Sequence, residues 1–227
     1  MVSRNRHSHA GLVVVGVLVL VVAAVAASWS PTGTMGSARR AYGRVRLDNG
    51  NVMVCGGSYG QTVVFSSCEV YSPASGTWSA TGSMLDPRSG PTLIRLQSGL
   101  ILALGGTDIY GGVVNGVELY NQSTGAWSAA GMLPATRRSF GAALLNNGRV
   151  LLAGGFNLTG VPTTGAFLFD PATYTWTATA PMNTSRAAFG FVLLGDGRVL
   201  AAGNGTTATS AEIYNPATAT WQMTGFM

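Results

Sequence analysis

The stretches RSGPTLIRLQSGLILALGG (residues 88–106) and VELYNQSTGAW (residues 117–127) contain all the marks of one unit that repeats along the chain. Its first residue recurs with a spacing of 49, as Arg39, Arg88, Arg137 and Arg186. Its closing glycines recur in the same register, as Gly56, Gly57, Gly105, Gly106, Gly154, Gly155 and Gly203. A period of this length, kept through four copies, indicates a repeat architecture in which each unit packs on the next.

Each unit predicts four short antiparallel strands. In the second copy we place them at residues 89–96, 100–104, 117–120 and 127–130, separated by turns. Turns such as Asp48-Asn49-Gly50 are rich in residues that accept positive φ and close hairpins. No helical apolar period is sustained after residue 34, so we predict an all-β fold. The fourth strands begin at Trp78, Trp127, Trp176 and Trp221, which we expect to pack between units.

The order of arginine, double glycine, Glu-x-Tyr and tryptophan resembles the kelch family of β-propellers over residues 35–227. The resemblance implies four blades, from repeats at 35–83, 84–131, 132–181 and 182–227. Kelch propellers often have six or seven blades, so two alternatives stay open. The repeats form either a four-bladed ring or an incomplete ring that self-associates or takes blades from a partner.

Two copies depart from the kelch pattern. Phe167-Leu168-Phe169 replaces Glu-x-Tyr in the third copy, and Asn204 replaces the second glycine in the fourth. Asparagine is the commonest residue besides glycine at positive φ, so the glycine pair is interpreted as a backbone device rather than a phosphate loop. Because phenylalanine replaces tyrosine, the repeat aromatics are interpreted as packing groups rather than catalytic phenols.

The N-terminus predicts export. Arg4 and Arg6 precede an apolar or small run at residues 10–27, and Ala24-Val25-Ala26 has the small-x-small pattern of a signal-peptidase site. We therefore assign residues 1–27 to a signal peptide and residues 28–34 to a linker, and expect a secreted or extracytoplasmic protein. The run of 18 residues also reaches the lower limit of a spanning helix, so an uncleaved membrane anchor is the alternative.

Charge and composition argue against nucleic-acid binding. The net charge of +5 comes from 13 arginines and no lysine against eight carboxylates, and charged residues are 9% of the chain. The arginines are spread over the repeats, without a basic tract or a recognition motif, so the pI near 9.7 does not indicate a nucleic-acid surface.

The sequence offers no recognisable catalytic set. His7 and His9, the only histidines, both lie in the leader, which excludes a Ser-His-Asp triad and most zinc or copper sites from the repeats. Galactose oxidase has a kelch-like propeller, but its copper centre needs histidine ligands. We therefore expect no cofactor or metal. Asp86 and Asp108 could serve a paired-carboxylate hydrolase, but an ion pair with Arg88 and a solvated loop position are the simpler interpretations.

The two cysteines, Cys55 and Cys68, stand at matching ends of the second and third strands of the first repeat. In an exported protein this placement favours a cross-strand disulfide over buried thiols.

In an up-and-down unit, the start of strand one, the end of strand two and the loop from strand two to strand three lie at one end, here called the mouth. We predict ligand binding at the mouth by Arg39, Arg88, Arg137, Arg138, Arg186, Tyr59, Asp108, Tyr110, Phe156 and Asn157. Alternatively, the repeat arginines pair with third-strand glutamates such as Glu118. The predicted function is an exported, non-enzymatic module that binds an anionic protein or glycan. A carbohydrate-active enzyme or a fragment of one, and a structural surface domain, are the alternatives.

Export gives the first testable prediction. If the leader is cleaved, the intact mass of protein recovered outside the cytoplasm should correspond to a chain that begins near Ala27 or Ser28. A full-length species that is extracted only with membranes would contradict cleavage and establish the anchor.

Overall fold

A computed structural model describes residues 30–203 and 209–226. The chain divides after Pro31, and the second unit begins at Thr32. The predicted leader and Asn204 lie outside the described residues. Within the described residues, no helix is long and apolar enough to span a membrane.

The second unit is built from strands alone in its described part, which confirms the all-β prediction. Blade 1 contains β1 (Gly43–Arg46), β2 (Val52–Cys55), the short pair β3 (Ser58–Tyr59) and β4 (Val63–Val64), β5 (Cys68–Ser72) and β6 (Thr77–Thr81). Blade 2 contains β7 (Thr92–Arg95), β8 (Ile101–Leu104), β9 (Gly116–Asn121) and β10 (Ala126–Met132). Blade 3 contains β11 (Gly141–Leu144), β12 (Val150–Ala153), β13 (Ala166–Asp170) and β14 (Thr175–Thr179). Blade 4 contains β15 (Gly190–Leu193), β16 (Val199–Ala202), β17 (Ser210–Asn215) and β18 (Thr220–Phe226).

Every blade is a four-stranded antiparallel meander, and the β3–β4 pair of blade 1 forms a separate two-stranded sheet between β2 and β5 in the chain. The pairing keeps the repeat register: Tyr120 opposes Trp127 in blade 2, and Tyr214 opposes Trp221 in blade 4. Equivalent residues therefore point to the same side of every sheet, as the period of two along a strand requires.

The double glycines meet the backbone of the next blade. Gly57 has a φ of 94°, and its amide donates to the carbonyl of Arg88, 2.9 Å away. A Cβ atom on Gly57 would lie 2.6 Å from the carbonyl oxygen of Arg40. Both the left-handed backbone and this close approach require glycine.

The hydrophobic core consists of three clusters, and each is shared by two successive blades. The first strands of successive blades also run side by side, with β1 against β7, β7 against β11 and β11 against β15. Within the described residues, no core cluster joins blade 4 to blade 1. Within the described residues, the core therefore joins blade 1 to blade 2, blade 2 to blade 3 and blade 3 to blade 4.

Two of the repeat tryptophans, Trp127 and Trp221, link neighbouring blades by hydrogen bonds as well as by packing. The indole N–H of Trp127 donates to the carbonyl of Gly82 over 3.0 Å, and that of Trp221 donates to Ala180 over 2.9 Å. Each acceptor belongs to the end of the preceding repeat. The ring centroids of Tyr120 and Trp127 lie 5.2 Å apart, so the two rings pack against each other beside the hydrogen bond from Trp127 to Gly82.

A disulfide joins Cys55 and Cys68, as predicted. The two residues oppose each other across β2 and β5, with their Cα atoms 4.2 Å apart and both side chains buried. Disulfides persist in oxidising compartments, so the bridge indicates an oxidising, extracytoplasmic environment.

The disulfide should be complete and stabilising. We expect no thiol to titrate in unfolded, unreduced protein. Changing both Cys55 and Cys68 to Ser should lower the free energy of unfolding by about 3 kcal/mol, the value for a loop of roughly 15 residues. Denaturant unfolding of the oxidised protein and of the double variant measures this difference. Free thiol in the unreduced protein would contradict the bridge.

Candidate functional site

The repeat arginines lie inside the blades. The guanidinium of Arg88 donates to the carbonyls of Gly105 and Gly116, at 3.2 and 2.9 Å, and forms an ion pair with Glu118. Arg88 has no exposed surface, and Glu118 is 2% exposed. Each such arginine thereby ties the end of its second strand to the start of its third strand.

The same contacts recur in the first and fourth blades. Arg39 pairs with Glu69 at 2.7 Å, and Arg186 pairs with Glu212 at 2.9 Å. The glutamates also accept backbone N–H groups from the segment that enters the blade, such as that of Leu85 at 2.7 Å from Glu118. These ion pairs, which were the alternative interpretation of the arginines, are almost fully buried and hydrogen-bonded.

The third blade replaces the carboxylate with an aromatic ring. Arg137 still donates to the carbonyls of Gly154 and Gly165, both at 3.0 Å. Its guanidinium carbon lies 4.9 Å from the centroid of the Phe167 ring, within the range of a cation–π contact. Phe167 therefore holds Arg137 in place by a cation–π contact instead of an ion pair.

Burial shifts the pKa values of two of these arginines. It lowers the pKa of Arg137 below its ordinary value. Burial also lowers the pKa of Arg88, while the nearby Glu118 and Asp86 carboxylates raise it in part. A buried guanidinium stays charged only where acceptors compensate for lost water, and the carbonyls and the carboxylate do so here.

The burial of the repeat arginines corrects one expectation. Arg39, Arg88, Arg137 and Arg186 are at most 9% exposed, so they do not line the mouth as ligand contacts. The exposed guanidiniums at the mouth belong to the residues that follow two of them, Arg40 and Arg138. Both begin a blade, where Arg40 bridges to Ser58 and Arg138 bridges to Phe156.

Arg138 stands over a small polar cavity between blades 2 and 3. The cavity has a volume of about 260 Å³, and its lining includes Ser89, Thr92 and Thr107 in addition to Arg138. The guanidinium carbon of Arg138 lies 5.2 Å from the centroid of the Phe156 ring, which holds the side chain in place. Ser139 lines the cavity as well, so the cavity combines one arginine with four hydroxyl-bearing residues.

The loops between the second and third strands present apolar side chains to solvent at the mouth. Two polar residues at equivalent repeat positions shape these loops: Asp108 accepts the N–H groups of Tyr110 and Gly112, both at 2.8 Å, and Asn157 accepts that of Val161 at 2.9 Å. Tyr110 is 94% exposed. The other exposed large apolar residues of these loops are Tyr59, Val63, Ile109, Leu158 and Val161.

Asp86 and Asp108 line a second cavity, of about 490 Å³, next to Tyr110. Asp86 lies 3.6 Å from Arg88, and Asp108 is held by the loop amides, so each has the simpler role that its position predicted. The exposed charge of the mouth is consequently mixed, with carboxylates on blade 2 and guanidiniums on blades 1 and 3. Among the described residues, no group of three His, Cys, Asp or Glu could hold a metal ion.

The opposite end of the blades consists of tight turns, and several of its charges form ion pairs. Arg198 lies 2.7 Å from Asp196, and the hydrogen bond from Arg198 holds the pKa of that carboxyl below its ordinary value. Arg149 lies 3.6 Å from Asp170. Among the described residues, Arg138 has no such carboxylate within 4.0 Å, which distinguishes it from these exposed arginines.

Comparison with known proteins identifies the repeat. The family described as Kelch motif matches residues 39–85 and 137–183. The first and third repeats of the chain therefore match the kelch motif. Its fold is similar to that of a solved structure titled "Structure of YjhT", with a TM-score of 0.70 and 17% sequence identity over 85% of this chain and 72% of that one. No curated protein matches the sequence.

Kelch repeat domains are typically non-catalytic scaffolds that bind proteins or other ligands. In this protein, the structure brings Arg138 and Phe156 together and exposes Tyr59 and Tyr110 at the mouth. Sequence reasoning missed the hydroxyl groups beside Arg138. The repeat register carried a signal for this site, because the positions 49 residues apart are Arg40, Ser89 and Arg138, so only two of these blades place a cation there.

The buried ion pairs of the kelch repeats give a stability prediction. Changing Glu118 to Ala should lower the free energy of unfolding by about 3–5 kcal/mol, because it leaves Arg88 buried without its carboxylate. Changing Arg149 to Ala removes a solvent-exposed pair and should cost no more than about 1 kcal/mol. Denaturant unfolding measures both variants. Equal losses in the free energy of unfolding for the two variants would contradict the claim that the buried Arg88–Glu118 pair matters more to stability than an exposed pair.

Proposed function

We propose that the chain is an exported, non-enzymatic binding module that recognises an acidic segment of a partner protein at the mouth. The observation that carries the proposal is the exposed guanidinium of Arg138, which has no carboxylate within ion-pair distance among the described residues. A guanidinium fork fits a carboxylate in two parallel hydrogen bonds. The hydroxyls of Ser89, Thr92 and Thr107 line the same cavity and add further hydrogen-bonding groups.

The exposed loop side chains favour a protein over a glycan. Tyr110 and Leu158 are 94% and 74% exposed, and neither packs against the blades. Tyrosine and arginine dominate the energetics of protein interfaces, and exposed apolar groups gain from burial against a partner. The rigid blades hold these loops in place, so a partner would meet a surface that is largely formed in advance.

Export is part of the proposal and rests on two independent features. The basic start and apolar run at residues 1–27 have the composition of a signal peptide. The Cys55–Cys68 disulfide requires an oxidising compartment. The repeats that follow the leader keep a net positive charge, which attracts an acidic partner at low ionic strength.

Substitution at the mouth tests the proposal. Peptides that combine Asp or Glu with aliphatic residues should bind the purified protein, and the affinity should fall as salt rises. Changing Arg138 to Ala should weaken binding by about tenfold or more, the loss of roughly 1.5–3 kcal/mol for a hydrogen bond to a charged group. Changing Tyr110 to Ser should weaken it as well. Arg198→Ala, on the turn face, is the matched control and should bind like the unchanged protein.

Two results would contradict the proposal. One is retention of full affinity by the Arg138→Ala variant, with an unchanged melting temperature. The other is binding of acidic glycans, in a parallel array, with no binding of any peptide. The Arg137→Ala variant separates the two neighbouring arginines, because its buried position predicts lower thermal stability rather than a selective loss of affinity.

A further inference from the structure

The second blade carries two carboxylates, Asp86 and Asp108, whose charge the repeat does not need. The positions equivalent to Asp86 in the other blades hold Ser37, Ala135 and Thr184. Asp108 is equivalent to Asn157, and both accept the same two loop N–H groups through Oδ1. A neutral side chain therefore serves the blade at either position, and the scaffold explains neither negative charge.

Both carboxylates line the cavity next to Tyr110. Its volume of about 490 Å³ lies within the roughly 300–1,000 Å³ that is typical of small-ligand pockets. Its lining contains no arginine. Arg88 contacts both Glu118 and Asp86, so one guanidinium meets two carboxylates, and Asp108 adds a third negative charge to this region. The cavity therefore attracts a cation.

The walls of this cavity suit an organic cation better than a metal ion. Val64, Val113 and Val114 provide hydrocarbon surface for an aliphatic stem. The face of the Tyr110 ring attracts an ammonium or guanidinium group. In the part of the chain that the structure describes, the acidic side chains do not gather in the sets of three that would hold a metal ion.

One wall of the cavity also contains an acceptor without a donor. The Oδ1 atom of Asn115 is buried and has no hydrogen-bond partner among the described residues. Buried polar atoms are nearly always hydrogen-bonded, so an acceptor of this kind calls for an explanation. An N–H group brought into the cavity by a ligand would supply the missing donor.

We propose that the cavity of blade 2 binds an alkylammonium or alkylguanidinium group. Its N–H groups would donate to Asp86 and to Oδ2 of Asp108, which accepts no hydrogen bond from the described residues. Hydrogen bonds between ionised groups are roughly twice as strong as neutral ones. The aliphatic stem would lie against the valine wall. The group is the end of a lysine or arginine side chain of a partner, or a free amine of the same shape.

This cation site adjoins the cavity at Arg138. Thr107 lines the Arg138 cavity, and the next residue, Asp108, lines the cation site. One lining has a guanidinium and no carboxylate, and the other has two carboxylates and no guanidinium. A partner segment with a basic residue beside its acidic residue would fill both cavities and be held in one direction, a step that rests on the proposed function.

A small amine tests the cation site without any partner protein. n-Pentylammonium is titrated into the ¹⁵N-labelled protein and followed by nuclear magnetic resonance. We expect the amide signals of Tyr110 and Gly112 to shift, and the dissociation constant to rise with salt. n-Pentanol, of similar size but uncharged, should bind about tenfold more weakly or worse, since it lacks the charge-assisted hydrogen bonds.

Two substitutions give blade 2 the residues of blade 3. Asp86→Ala combined with Asp108→Asn should keep the melting temperature, because blade 3 folds with Ala135 and Asn157. The dissociation constant for n-pentylammonium should rise about tenfold or more. Asp86→Asn, which changes charge and not size, should raise it as well and guards against loss of folding. Asp196→Asn, at the turn face, is the matched control and should bind like the unchanged protein.

Peptides decide the source of the cation. Acidic peptides with lysine beside the acidic residue are compared with peptides that carry norleucine there. Tighter binding of the lysine peptides, lost in the double variant, assigns the cation to a partner side chain. Equal binding of both sets, with n-pentylammonium still bound, assigns it to a free amine.

Three results would overturn the cation site. They are no shift with n-pentylammonium at the highest concentration measured, equal affinity for n-pentanol, and unchanged affinity for n-pentylammonium in the double variant. The proposed function is tested apart from these outcomes, because the effect of Arg138→Ala is measured with acidic peptides that contain no basic residue.

Discussion

The structure depends on one buried network, the contact of each repeat arginine with the carbonyls at the ends of two strands. In Arg88 the guanidinium also meets Glu118, whose carboxylate accepts backbone N–H groups from the segment that enters the blade. One side chain thus fixes the second strand, the third strand and the inter-blade connection together. Because a lone buried guanidinium is costly, every acceptor around it becomes a constraint on the backbone.

This network explains why some residues recur in the repeats and why others differ from one repeat to the next. At the double glycine Gly56-Gly57, the first carbonyl accepts from the arginine and the second N–H donates to the next blade. The loop that follows the double glycine takes no part in this network. Loops of this kind can present Tyr110 or Leu158 to solvent without loss of stability, since their shape is set locally by Asp108 and Asn157. Stability and recognition are in this way carried by adjacent but separate residues.

Much of the fold could be predicted from the sequence because the same constraints recur in every copy. The 49-residue spacing predicted the strands and the turns, and the positions of Cys55 and Cys68 at matching strand ends predicted their pairing. The location of the repeat arginines could not be decided in the same way, since an arginine at the end of a strand suits both a buried network and an exposed mouth. Phe167 argued against strict ion pairing, yet a ring and a carboxylate hold Arg137 and Arg88 in equivalent positions. Whether an arginine faces solvent depends on its neighbours in three dimensions. For Arg138, the contact with the Phe156 ring in the structure shows its position.

The central claim is that buried arginines build the blades and exposed arginines meet the ligand. Nuclear magnetic resonance of ¹⁵N-arginine-labelled protein, titrated with a binding acidic peptide, tests it most directly. Side-chain Nε–H signals of Arg88 and Arg186 should exchange slowly with solvent and keep their chemical shifts through the titration, because these groups are fully buried. The signal of Arg138, assigned with the Arg138→Lys variant, should shift. Peptide-dependent shifts confined to Arg88 and Arg186, with an unmoved Arg138 signal, would contradict the account.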